Sequence, residues 1–79
     1  MGQSITLTLL TTEHNGTTYG AAKCYVTVGR SSNLAVACLA GTERTILLPS
    51  DAHAWLIAHG LPRETADTLI HDALAQEDQ

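Results

Sequence analysis

Ser4-Ile5-Thr6-Leu7-Thr8-Leu9 alternates polar and aliphatic positions without a break. A period of two puts Ile5, Leu7 and Leu9 on one side of an extended segment, which predicts a half-buried strand. Asn15-Gly16 follows. Type I′ hairpin turns need positive φ at both central positions, so this dipeptide is a strong hairpin signal. A second strand then runs to about Val28, with Cys24, Val26 and Val28 on one face. Gly29-Arg30-Ser31-Ser32-Asn33 reads as a loop by composition. Leu34–Ala40 is expected as a third strand and Thr45–Leu48 as a short fourth.

The turns set a register. With Asn15-Gly16 as the turn, Ile5 meets Val26, Leu7 meets Cys24 and Leu9 meets Ala22. A symmetric loop over residues 29 to 33 places Val28 opposite Leu34, Val26 opposite Val36, Cys24 opposite Cys38 and Ala22 opposite Ala40. Both hairpins then select the same face of the second strand as the core face. A one-residue slip would move one set to the other side. The remaining face carries Thr6, Thr8, Lys23, Tyr25, Thr27, Ala35, Ala37 and Leu39.

After residue 48 the period changes. Ser50 is a candidate N-cap and Asp51 suits a first helical turn. A helix over Asp51–His59 would place Ala54, Trp55 and Ala58 on one side. Gly60 fits the position after a helix end, where the left-handed conformation favours glycine. Leu61-Pro62 restarts the chain, since proline is tolerated in a first helical turn. Ala66, Leu69, Ile70, Ala73 and Leu74 form an apolar stripe at helical spacing, with Glu64, Asp67, His71 and Asp72 on the outer side. The residues after Ala75 are expected to fray. The fold class is α+β: a four-stranded antiparallel meander followed by two helices packed on one face, ββββαα, in a single small domain.

Composition narrows the functional classes. With 79 residues, 44% hydrophobic positions, one tryptophan and no phenylalanine, the core is aliphatic and thin. A chain of this size buries only about 60% of its unfolded surface. That leaves little room for an enclosed substrate pocket and favours a non-enzymatic binding surface, with a homodimer as one arrangement. Two cysteines are too few for a disulfide scaffold. No apolar run reaches the roughly 20 residues that cross a bilayer, and no secretory signal is recognisable. A cytoplasmic protein with reduced thiols is expected.

Charge is concentrated. Up to Gly60 the bases Lys23, Arg30 and Arg44 balance the acids Glu13, Glu43 and Asp51. From Leu61 onward one base, Arg63, faces Glu64, Asp67, Asp72, Glu77 and Asp78, and the net charge is −4. Glu64 has a local explanation in the helix macrodipole, whereas Asp72, Glu77 and Asp78 sit towards the unfavourable end with no base predicted beside them. Such an acidic element fits a protein partner with a basic surface. It argues against direct contact with nucleic-acid phosphates, which takes clustered Lys and Arg.

Other constellations carry less. Cys24 and Cys38 face each other in the expected register, but on a core face they serve as small hydrophobes. Asp67 and His71 at i, i+4, with Glu64 a turn earlier, offer two or three ligands to a metal. This supports an alternative reading as a small-ligand or metal-binding oligomeric module, although a solvated helix face explains the same residues and no cofactor is required. His53 and His59 read as surface or capping residues. No nucleophile elbow and no glycine-rich phosphate loop occur. Gly60 to Ala66 has the form of a helix-turn-helix junction, yet its second helix carries acids where DNA readers carry bases or amides. Tyr25 and Lys23 stand on the sheet face expected to be exposed, and tyrosine is enriched at interfaces.

Four short strands, then two helices, with Trp55 in the first helix and Gly60-Leu61-Pro62 at the break, resembles one group of small phage-encoded anti-CRISPR proteins, inhibitors of type I-F systems. The match in residues covers this junction. The resemblance implies a stoichiometric inhibitor in the host-cell cytoplasm that docks on a CRISPR effector complex and blocks its target DNA. The candidate contacts from the residue reading are Lys23, Tyr25, Glu64, Asp67, His71 and Asp72.

Overall fold

The computed structural model describes residues 9–76. Its elements are β1 (Leu10–His14), β2 (Thr17–Val28), β3 (Ser31–Ala40), β4 (Glu43–Leu47), α1 (Pro49–Ala58) and α2 (Arg63–Leu74). The strands form one antiparallel sheet in the order β1-β2-β3-β4, so the ββββαα layout of the sequence reading holds. The strand expected over Ser4–Leu9 lies mostly outside the described residues. Leu9 itself precedes β1, is 41% exposed and is not a core residue. Leu10 takes that role and packs against the core.

The first register is as expected. His14 pairs with Thr17 and Leu10 with Ala21, around a turn in which Asn15 and Gly16 both have positive φ, 51° and 79°. The second register is not. β2 and β3 join through a two-residue turn, Gly29-Arg30, with Val28 opposite Ser31 and Tyr19 opposite Ala40. Gly29 has φ 61°, which lets the chain reverse within two residues and draws Ser31, Ser32 and Asn33 into the strand. The resulting three-residue shift is odd, so it turns β2 over relative to β3. Cys24 pairs with Ala35 and Cys38 with Ala21. The two thiols therefore stand on opposite faces of the sheet.

The helices cover the face that carries Tyr19 and Ala21 of β2 and Val36, Cys38 and Ala40 of β3. These join Ala52, Leu56, Leu61, Ala66, Leu69, Ile70 and Ala73 in the core. The core face of β2 is thus the one expected to be exposed. Tyr19 explains the choice. Its ring is 3% exposed and its hydroxyl donates to the His59 carbonyl at 2.7 Å, so the largest buried side chain of β2 keeps a polar partner. Lys23 and Tyr25 follow Tyr19 on the helix side, whereas Ala35, Ala37 and Leu39 lie on the other. That other face holds a groove of about 680 Å³ lined by Leu9, Ala22, Ala37, Leu39, Arg44 and Ile46.

α1 begins at Pro49 and has no side-chain cap. Ser50 lies inside the helix, and the Leu48 carbonyl accepts the Ala52 N–H at 2.8 Å. Proline suits the first position because that N–H has no intrahelical partner. The buried face is Ala52 and Leu56. Ala54 and Ala58, expected inside, are exposed, and Trp55 is half-buried. The helix ends as anticipated at Gly60, whose φ is 106°. Gly60 N–H bonds Ile57 O at 3.0 Å and Leu61 N–H bonds Leu56 O at 3.1 Å. This is the Schellman pattern, with its usual apolar contact supplied by buried Leu56 and Leu61. α2 follows its stripe: Ala66, Leu69, Ile70 and Ala73 are buried and Leu74 packs at the edge.

The cysteine positions give a simple test. Burial raises the Cys38 thiol to about 11 and the residue is 3% exposed. Cys24 is also raised by burial but is only half-buried. Thiolate is the reactive form, so iodoacetamide should label Cys24 at least about tenfold faster than Cys38 in the native protein. Peptide mass spectrometry resolves the two sites, and equal rates would contradict the register.

Candidate functional site

α2 turns once per 3.6 residues. Residues 64, 67, 68, 71, 72 and 75 therefore share one side, and all six are exposed. They are Glu64, Asp67, Thr68, His71, Asp72 and Ala75, a face with three carboxylates and no Lys or Arg. Glu64 and Asp72 are about 12 Å apart along the axis at 1.5 Å per residue. The helix candidates thus form one continuous surface strip.

The strip runs between two grooves. On the α1 side Ser50, His53, Asp67, His71 and Leu74 line a groove of about 670 Å³. On the β1 side Thr11, Thr12, Thr65, Thr68 and Asp72 line one of about 300 Å³. His53 Nε2 is shut off from solvent, has no directed hydrogen bond and rests against Asp67 Oδ1. This tie between α1 and α2 is absent from the sequence reading. His53 and Asp67 are 14 residues apart, and only the helix-helix docking brings them together. His71 Nδ1 lies 3.8 Å from Asp72 Oδ1. Among the described residues no three His, Cys, Asp or Glu side chains gather in a way that could hold a metal ion.

The sheet candidates stand differently. Lys23 is half-buried, and its Nζ donates to the Gln76 carbonyl just beyond α2. A cation at this helix end is favoured by the macrodipole. Lys23 is therefore the base that the sequence reading did not find for the acidic terminal helix, and its role is to anchor α2. Tyr25 lies two residues further on the same face, beyond the end of α2, and is 54% exposed. Its cross-strand partner Leu34 is 39% exposed. Together they make an apolar ledge on the same side of the molecule as the acidic helix. Leu34 was expected on the core side of β3, and it does lie on that face, but past the reach of the helices.

A second constellation sits at the other end of α1. The His59 Nδ1 is 2.8 Å from the Trp55 carbonyl oxygen and Nε2 is 2.8 Å from Glu43 Oε2. The Trp55 and His59 ring centroids are 4.0 Å apart. The hydrogen bond to the Trp55 carbonyl, followed by that to Glu43, holds the ring above its ordinary value.

The fold and this surface define a small α+β module with an acidic helix face and an adjoining apolar ledge. No family model, no curated protein and no solved structure matches the chain. No helix among the described residues is long and apolar enough to cross a membrane.

Proposed function

We propose that this protein is a non-enzymatic inhibitor that docks the outer face of α2 on the basic surface of a nucleic-acid-handling complex. The observation that carries the reading is the exposed strip of Glu64, Asp67, His71 and Asp72, which contains no Lys or Arg. A surface of one sign steers a partner of the other sign and suppresses like-charged ones. Tyr25 and Leu34 add apolar contact area beside the strip. The resemblance at Trp55 and Gly60-Leu61-Pro62 points to a CRISPR effector complex, phage encoding and a site of action in the host-cell cytoplasm, with target DNA binding as the step blocked. Lys23 supports the site from beneath. Binding to a purified type I-F effector complex, measured by biolayer interferometry at two salt concentrations, tests it. Saturable binding that weakens with salt is expected, and no binding at low salt contradicts the proposal.

The groove between α1 and α2 favours a second reading, a small-ligand or metal-binding module formed between copies. His53, Asp67 and His71 all line it, and a second copy would have to complete the ligand set. Native mass spectrometry with and without chelator separates the two readings. A metal-free monomer removes the second.

A further inference from the structure

We infer that His59 is a proton-operated clasp between the end of α1 and the start of β4, closed by an imidazolium and opened when the ring loses one proton. Nδ1 meets the Trp55 carbonyl and Nε2 meets the Glu43 carboxylate, each at 2.8 Å. Both partners are acceptors, and a neutral imidazole carries only one N–H. Two hydrogen bonds at these positions therefore require the doubly protonated ring.

The surroundings agree with a cation. From β4 the group facing the ring is Glu43. β2 contributes Tyr19, whose hydroxyl donates to the backbone carbonyl of His59 at 2.7 Å and not to the ring. α1 contributes the Trp55 carbonyl and the Trp55 ring, tilted 37° to the imidazole. Glu43 is the only charged group that acts on the ring among the described residues, and it favours the cation. The side chains of His59 and Glu43 are 29% and 64% exposed, so the clasp is open to protons from solvent.

The sign of the pH effect follows. The folded-state ring titrates above the ordinary value of 6.5. Its contribution is complete below that ordinary value and is lost as pH rises through the folded value. On losing a proton the ring keeps one N–H and turns a lone pair towards the other acceptor. Glu43 is the partner that leaves, because its carboxylate is exposed and regains water, whereas the Trp55 carbonyl is fixed in the helix.

Trp55 is the only tryptophan and lies against the ring, so its fluorescence reports the charge directly. An imidazolium quenches a neighbouring indole more strongly than neutral imidazole does. The intact protein should brighten on raising pH, with a midpoint above the ordinary histidine value of about 6.5. Glu43→Gln keeps an acceptor but removes the charge, and should move the midpoint down. Nitrogen-15 NMR of the ring should show both nitrogens protonated at about pH 6.5, where an ordinary histidine is half-titrated. A single neutral tautomer there, or a midpoint that E43Q leaves in place, overturns the inference. His59→Gln should remove the transition, and if that variant does not fold, E43Q and the NMR spectrum of the native chain still decide it.

Discussion

Leu56→Ala should cost about 2–5 kcal/mol, the range for deleting a buried leucine side chain without full collapse of the cavity. Leu56 is 0% exposed and sits where α1 meets both the sheet and Leu61. A domain of 79 residues has a total stability of about 4–12 kcal/mol at typical values per residue. The substitution therefore removes a large share of it. Thermal unfolding followed by circular dichroism should show a midpoint lower by at least about 8 °C, since 1 kcal/mol shifts a domain of this size by about 4–8 °C. The matching control is Ala54→Ser. Ala54 is exposed, and surface substitutions stay within about 0.5 kcal/mol. A large loss at Ala54 and none at Leu56 would mean that α1 buries its other side.

Reversing Glu64, Asp67 and Asp72 to lysine together should abolish the proposed docking. Each reversal adds two units, so the net charge moves from −4 to +2, and the strip changes sign. Like charges facing across an interface cost several kcal/mol. A loss of about 3 kcal/mol corresponds to a factor of about 100 in affinity at 1.4 kcal/mol per tenfold. The wild-type affinity should fall with salt, because exposed charges are screened over about 10 Å at 0.1 M. Asp67 also contacts His53, so Asp67→Lys should cost more stability than Asp72→Lys, while Glu64→Lys loses the favourable first-turn charge, about 0.3–1 kcal/mol. Unchanged affinity in the triple variant, with far-UV circular dichroism intact, would place the contact elsewhere.

How much could be read from the sequence depends on which signals were local. The Asn15-Gly16 hairpin was legible because two adjacent positive-φ positions demand these residues. α2 was legible because Ala66, Leu69, Ile70 and Ala73 repeat at helical spacing against a polar remainder. The β2–β3 register was not. Arg30 to Asn33 is polar throughout, and polarity normally marks a loop, but here the strands extend past the helices and both faces meet water. The three-residue error that follows reassigns the face of β2, and with it Lys23, Tyr25 and Cys24. α1 misled for the opposite reason. Ala54, Ile57 and Ala58 are apolar on the exposed side as well, so no stripe distinguishes the face that Ala52 and Leu56 bury. The acidic strip was visible from the chain alone. Its neighbours His53 and Lys23 were not, since each reaches α2 from a distant part of the sequence.

The proposed docking would put the outer face of α2 where target DNA otherwise binds. The direct measurement is an electrophoretic mobility shift of labelled target DNA by a purified type I-F effector complex, with this protein added first. Roughly stoichiometric wild-type protein should prevent the shift, and the E64K/D67K/D72K variant should not. An undiminished DNA shift at a large excess of the wild-type chain would contradict it.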